Sequence, residues 1–109
     1  MATFEEFQRI DIRVGRIVEV SDFPEAKKSA YKLTIDFGPL GIKKSSAQIT
    51  EIYNKEDLLG RLVVAVINFP IKRVAGFPSE VLVLGVPGEK GRVVLLQPER
   101  DVPLGGRVY

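Results

Sequence analysis

The chain has 109 residues, which is enough for one domain with a modest core and leaves no room for a second. Hydrophobic residues make up 45% and charged residues 28%, and the formal net charge is +2, so the composition is that of a water-soluble globular protein. No apolar run approaches the roughly 20 residues of a membrane span, and MATFEEFQRID is acidic where a signal peptide is basic. We therefore expect a cytoplasmic protein with no membrane insertion.

The first half of the chain predicts a short helix followed by three strands. Thr3 and Glu6 have the spacing of a helix-capping pair. Ile10–Val20 predicts a strand, and the break in its apolar alternation at Gly15 predicts a bulge that bends it. Two further strands are predicted at residues 31–37 and 42–49.

The second half predicts a helical turn and then two or three strands. Asn54 is placed to cap a short helix that ends at Gly60. RLVVAVI, residues 61–67, is apolar enough for a fully buried strand, and Phe69, which follows it, is expected in the core. Two more strands are predicted at residues 80–86 and 92–97.

This order of elements, β-β-β-α-β-β with a bent first strand, predicts an all-β fold. It is the order of the OB-fold, a five-stranded Greek-key barrel with a short helix between strands 3 and 4. A plain five- or six-stranded sandwich is the alternative. We expect residues 1–109 to form a single domain, with a core at about 8–97 and short terminal extensions at 1–9 and 98–109.

Catalytic and cofactor-binding patterns are absent from the sequence. The chain contains no cysteine and no histidine, which removes disulfides, thiolate chemistry, the commonest general base and the commonest transition-metal ligands. No glycine-rich phosphate-binding motif occurs. We therefore predict a non-enzymatic binding protein with no cofactor and no metal.

Positive charge is concentrated in two segments. Residues 26–50 hold five lysines against one acid, Asp36, and residues 61–79 hold three cations and no acid. If the fold brings the two segments together, they form a basic patch that suits an anionic partner. The alternative is that Lys27, Lys28, Lys43 and Lys44 are simply solvated loop residues.

The segment NFPIKRVAGFPSEVLVLG, residues 68–85, combines cations, aromatic residues and prolines. Lys72 and Arg73 stand side by side between Phe69 and Phe77, on what the prolines predict to be a rigid loop. Such a loop can bind nucleic acid or adhere to another protein. We expect Ser79 and Glu80 to hydrogen-bond across its base as scaffold.

Several segments resemble a known family, and the match runs over nearly the whole chain. DIRVGRIVEV at 11–20, SSAQI at 45–49, LLGRLVVAVINF at 58–69 and KRVAGFPSEVLVLG at 72–85 are similar to the tRNA-binding OB-fold domain. Within that family, SSAQIT, NFPIKRVAGFPSEVLVLG and VVLLQPE resemble the CsaA proteins, which are export-related chaperones. The resemblance implies a homodimer whose interface is built by the terminal extensions, in agreement with the apolar Phe4 and Phe7. The alternative is a monomer in which these residues cap the barrel.

The resemblance also implies two classes of ligand. For tRNA, Lys72 and Arg73 would pair with phosphates, and Phe69 or Phe77 would stack on a base. Further nucleic-acid contacts are predicted at Lys43, Lys44 and Ser46. For unfolded or precursor proteins, the predicted contacts are Ile71, Val74 and Phe77 along an apolar groove.

The loop also departs from the tRNA-binding relatives. Those relatives carry Ser-x-Gly-Met after the loop, whereas here Ser79 keeps the serine but Val81 and Leu82 replace Gly-Met. Ala75 stands where many of the relatives have a basic residue. We predict a homodimeric, non-enzymatic export-related chaperone that holds unfolded or precursor chains. A protein that binds structured tRNA in trans is the alternative.

Overall fold

A computed structural model describes all residues from Met1 to Tyr109 and contains nine strands and two short α-helices. The helices are α1 (Phe4–Gln8) and α2 (Lys55–Leu58), and single 3-10 turns lie at Gly38–Leu40 and Glu89–Gly91. The strands are β1 (Ile12–Asp22), β2 (Tyr31–Asp36), β3 (Ile42–Ala47), β4 (Leu62–Val66), β5 (Lys72–Val74), β6 (Phe77–Ser79), β7 (Leu82–Val83), β8 (Gly85–Pro87) and β9 (Val93–Leu95).

Five of the strands form one antiparallel sheet in the order β3-β2-β1-β4-β7. The long β1 pairs with a different strand along each half of its length: Ile12–Arg16 pairs with β4, and Arg16–Asp22 pairs with β2. The sheet curls until its edge strands β3 and β7 contact each other. The result is a nearly closed five-stranded barrel, which confirms the predicted all-β OB-fold.

The bend in β1 lies close to the predicted position. The pairing of β1 with β2 shifts register between Ile17 and Glu19, so the bulge falls at Val18 rather than at Gly15. Gly15 serves packing instead, because a Cβ atom there would lie 2.6 Å from Cγ2 of Ile35 and 2.8 Å from the ring of Phe37. Both side chains belong to the core, so the glycine lets β1 approach it closely.

One cluster of twelve buried residues fills the barrel. Ile17, Ile35 and Phe37 are completely inaccessible to solvent. Two tyrosines connect the cluster to the surrounding chain: Tyr31 Oη donates to the carbonyl of Tyr53 at 2.8 Å, and Tyr53 Oη accepts from the backbone of Leu95 at 3.0 Å. The buried hydroxyl groups are therefore hydrogen-bonded, as their burial requires.

The two helices differ in their relation to the core. Thr3 and Glu6 form the predicted capping box of α1, but no residue of α1 is buried. In α2, Leu58 is buried, and the Asp57 carboxylate accepts a hydrogen bond from the backbone of Asn54. Lys55 Nζ donates a hydrogen bond of 2.9 Å to the Asp22 carboxylate, which raises the pKa of Lys55 and ties α2 to the end of β1.

The C-terminal segment continues the sheet beside the first half of β1. The backbone of Gly105 donates to Val14 at 2.8 Å, that of Val14 donates to Gly106 at 3.0 Å, and that of Val108 donates to Ile12 at 2.9 Å. Part of the predicted extension at 98–109 is therefore held by backbone hydrogen bonds. No helix in the structure is both long enough and apolar enough to span a bilayer.

Two predictions in the region after β4 are wrong. Phe69 is 45% exposed rather than buried, because the chain leaves the barrel at Asn68. The single strand predicted at residues 80–86 is divided: β7 pairs with β4, whereas β8 pairs with β9 in a separate hairpin. An apolar run can thus change hydrogen-bonding partners midway without a visible change in composition.

Candidate binding cleft

The segment predicted as a rigid loop is a β-hairpin. β5 and β6 pair with Lys72 opposite Ser79, Arg73 opposite Pro78 and Val74 opposite Phe77. The two turn residues, Ala75 (φ 48°) and Gly76 (φ 82°), both have left-handed backbone conformations, as the tight hairpin turn with two positive φ angles requires. The hairpin therefore presents Lys72 and Arg73 on a strand rather than on an irregular loop.

Two side chains fasten the base of this hairpin to β3. The backbone of Ser46 donates to Ser79 Oγ at 3.0 Å, and the backbone of Lys44 donates to Glu80 Oε1 at 2.9 Å. The backbone of Glu80 donates in return to the Lys44 carbonyl at 2.8 Å. The predicted scaffold role of Ser79 and Glu80 is confirmed, and these bonds satisfy part of the β3 edge.

The ring of Phe77, on β6, packs against Phe23 at the start of the β1–β2 connection. Its ring centroid lies 5.5 Å from that of Phe23 in an edge-to-face arrangement with an interplanar angle of 64°. The ammonium of Lys32 lies 4.8 Å from the centroid of Phe23 and 5.4 Å from that of Phe77, within the range of cation–π attraction. The half-buried Phe77 thus holds the hairpin against the start of the β1–β2 connection.

A cleft of about 710 Å³ opens beside the hairpin, and 11 of its 19 lining residues are hydrophobic. It is bounded by the β1–β2 connection, the end of β3, and strands β5, β7 and β9. The apolar lining includes Ile49, Val74, Val81, Leu82, Val83 and Leu95. Charged groups also line it, namely Glu25, Lys27, Lys28, Lys72 and Arg73.

The structure brings some of the predicted site residues together at this cleft and places others elsewhere. The predicted residues that line it are Ser46, Lys72, Arg73 and Val74. Those that do not line it are Lys43, Lys44, Ile71 and Phe77. Ile71 is 56% exposed just before β5, and the two lysines lie on β3.

Lys27 and Lys28 are site residues that the sequence-based prediction did not assign. Both line the cleft, and the signal for them was the excess of lysine in residues 26–50. Ion pairs are absent from all four cations at the cleft, Lys27, Lys28, Lys72 and Arg73. The two basic segments of the sequence therefore do meet, at the cleft, with their charges uncompensated. No cluster of three or more acidic residues suited to a metal ion occurs.

Comparison with known proteins relates this architecture to a family. The model of the family described as "Putative tRNA binding domain" matches residues 12–107. The methionine–tRNA ligase of Pyrococcus furiosus is 42% identical over 107 residues, which are 97% of this chain and 14% of the ligase. The chain thus spans about one-seventh of the length of such curated relatives.

The solved structures of two CsaA proteins match over the full chain. The chaperone CsaA from Bacillus anthracis is 56% identical with a TM-score of 0.94, and the match covers 100% of this chain and 99% of that one. The CsaA chaperone protein from Picrophilus torridus is 53% identical with a TM-score of 0.92 and full coverage of both chains. By fold, family model and full-length similarity, the chain belongs to the tRNA-binding-domain family, in which it is a CsaA-type member.

Proposed function

We propose that the chain is a non-catalytic, homodimeric chaperone of the cytoplasm that holds unfolded or precursor polypeptides during export. The observation that carries the proposal is the cleft of about 710 Å³, because its lining is mostly hydrophobic yet open to solvent. Exposed apolar concavities of this kind are typical of binding sites. The full-length similarity to two proteins described as chaperones supports the same function.

A homodimer is supported by apolar side chains that the protomer leaves uncovered around its termini. Phe4 is 67% exposed and Phe7 37%, and Tyr109 is fully exposed. Asn68 Nδ2 donates to the carbonyl of Arg9 at 2.7 Å, and Arg107 Nη2 donates to the carbonyl of Gln8 at 2.8 Å. These bonds hold α1, the chain after β4 and the C-terminal segment together, so their apolar groups can form one interface.

Binding of tRNA is the second candidate function. The family description and the unpaired cations Lys72 and Arg73 on β5 support it. Lys43 and Lys44 lie on opposite faces of β3, which packs beside β6, and add positive charge outside the cleft. Affinity for tRNA would be salt-dependent, because each phosphate contact releases counterions.

The decisive experiment measures suppression of aggregation of a denatured model protein, together with tRNA binding, for two matched variants. Leu82→Asp places a carboxylate at the cleft, where Leu82 is 50% exposed. Leu59→Asp makes the same change at a 59% exposed position outside the cleft. We expect Leu82→Asp to lose most of the holding activity and Leu59→Asp to keep it.

Equal activity of the two variants would place client binding outside the cleft. Absence of any holding activity in the wild-type protein, with firm tRNA binding, would overturn the chaperone proposal in favour of the second candidate. Circular dichroism of both variants establishes that each is folded before activities are compared.

A further inference from the structure

The charged groups at the cleft are strongly unbalanced. Lys27 and Lys28 come from the β1–β2 connection, and Lys72 and Arg73 come from β5. None of the four has an ion-pair partner. The single carboxylate among the lining residues, that of Glu25, already lies 3.9 Å from a lysine ammonium. The rim therefore attracts carboxylates and repels cations.

A free strand edge borders the same cleft. β5 pairs only with β6, so its other edge has no strand partner. Arg73 lies opposite Pro78, which has no N–H group, so this is a pair whose backbone groups point away from each other. The N–H and C=O of Arg73 consequently face away from β6. An extended polypeptide can add its own backbone to such an edge.

The lining of the cleft favours a polypeptide over a nucleic acid. It contains apolar side chains such as Ile49, Leu82 and Leu95, and it contains no aromatic residue. Recognition of unpaired bases depends largely on stacking against aromatic rings. The nearest aromatic candidate of the hairpin, Phe77, is occupied by its contacts with Phe23 and Lys32.

We propose that the cleft selects extended client segments in which apolar residues are flanked by aspartate or glutamate. The apolar side chains occupy the floor of the cleft, the carboxylates pair with the four rim cations, and the backbone pairs with the free edge of β5. Segments flanked by lysine or arginine are correspondingly disfavoured. This inference rests on the proposed function, because it names the class of client that the same cleft accepts.

The test uses three synthetic peptides with one apolar core, flanked by glutamate, glutamine or lysine. Their affinities for the wild-type protein are measured by fluorescence anisotropy at about 50 mM and about 500 mM salt. We expect the glutamate peptide to bind about tenfold more tightly than the lysine peptide at low salt, with the glutamine peptide between them. The difference should fall to about twofold at high salt, because screening weakens the rim charges and leaves the apolar contacts.

Two double variants with the same loss of charge locate the effect. Lys72→Gln with Arg73→Gln removes cations from the cleft, and Lys43→Gln with Lys44→Gln removes them from β3 outside it. The first should reduce the preference for glutamate to about threefold or less, and the second should leave it unchanged.

Each other outcome overturns the inference in a distinguishable way. Equal binding of the three peptides means that the cleft recognises only the apolar core and not the flanking charges. The chaperone proposal survives that outcome. A preference that is lost only in the Lys43 and Lys44 variant places the recognising cations elsewhere. Failure of all three peptides to bind, with tRNA bound and weakened by the Lys72 and Arg73 changes, overturns both the inference and the chaperone proposal.

Discussion

Lys32, on β2, contacts both the hairpin and the β1–β2 connection. Its ammonium lies near both the Phe23 and the Phe77 ring, and its side chain is only 33% exposed. A partly desolvated cation over two rings is stabilising. Replacement of Lys32 by methionine keeps much of the apolar stem but removes the charge. We expect a loss of about 1 kcal/mol in the free energy of unfolding, measured by urea denaturation.

Lys32→Arg is the matched control, because arginine keeps a cation over the rings. It should retain most of the stability of the wild-type protein. If Lys32→Met and Lys32→Arg are equally destabilised, packing of the stem rather than the charge accounts for the contribution.

Gly15 lies where the core leaves no room for a methyl group. In Gly15→Ala the new Cβ would meet Ile35 and Phe37 at under 3 Å, so the sheet must shift. We expect a loss of about 1–3 kcal/mol in the free energy of unfolding, the usual cost of overpacking. The measurement is urea denaturation, with Gly106→Ala as control, because the nearest atom to that Cβ is at an ordinary 3.5 Å. Equal stability of both variants would contradict the close approach.

At the scale of elements, alternation of polar and apolar residues was the most informative part of the sequence. It located β2, whose burial alternates strictly, and the apolar run located the buried β4. It did not reveal the β5–β6 hairpin, because Gly76 and Pro78 are also loop residues and three-residue strands carry too little pattern. Strand partners depend on residues far along the chain, so the separation of β7 from β8 was not predictable either.

Contacts between distant parts of the chain also limited the prediction of the candidate site. The sequence indicated Lys72, Arg73 and Val74, since an unusual local combination of residues marks them. It left Lys27 and Lys28 undecided, because only the folded barrel shows that the β1–β2 connection faces β5 across the cleft. Local chemistry was therefore predictable, whereas the association of two distant basic segments required the three-dimensional structure.

The turn of the β5–β6 hairpin contains a strained residue. Ala75 has a φ angle of 48°, a conformation that disfavours a residue with a Cβ and that asparagine tolerates better. Ala75→Asn should stabilise the hairpin by about 0.5–1 kcal/mol. Hydrogen exchange of the amides of residues 72–79 is the direct measurement, because the hairpin can open without unfolding of the barrel.

Gly76→Ala provides the opposite change at the neighbouring turn position. Gly76 has a φ angle of 82°, and no atom lies within 4 Å of the place that a Cβ would take, so any effect of alanine comes from the backbone alone. We expect faster amide exchange in this variant and slower exchange in Ala75→Asn. A change of the same sign in both would mean that turn conformation does not control hairpin opening.

At the scale of the whole molecule, α1 contributes nothing to the core of its own protomer. None of its residues is buried, although its capping box and the hydrogen bonds to Gln8 and Arg9 fix it in place. An ordered helix that exposes Phe4 and Phe7 supports the proposed homodimer, since stable interfaces bury about 800 Å² on each partner with an apolar centre. A second copy of the chain would also place two clefts on one particle, so that a long client could bind both.

The double variant Phe4→Asp with Phe7→Asp tests this assembly. Carboxylates in an apolar interface lose solvation without gaining partners, so the proposed dimer should dissociate into folded monomers. Sedimentation velocity measures the change in mass, and unfolding curves should show a barrel that remains folded. Ile52→Asp, at a 41% exposed position beside α2, should leave the dimer intact. A wild-type protein that sediments as a monomer at all concentrations would contradict the proposed interface, and affinity for long clients would then equal affinity for short peptides.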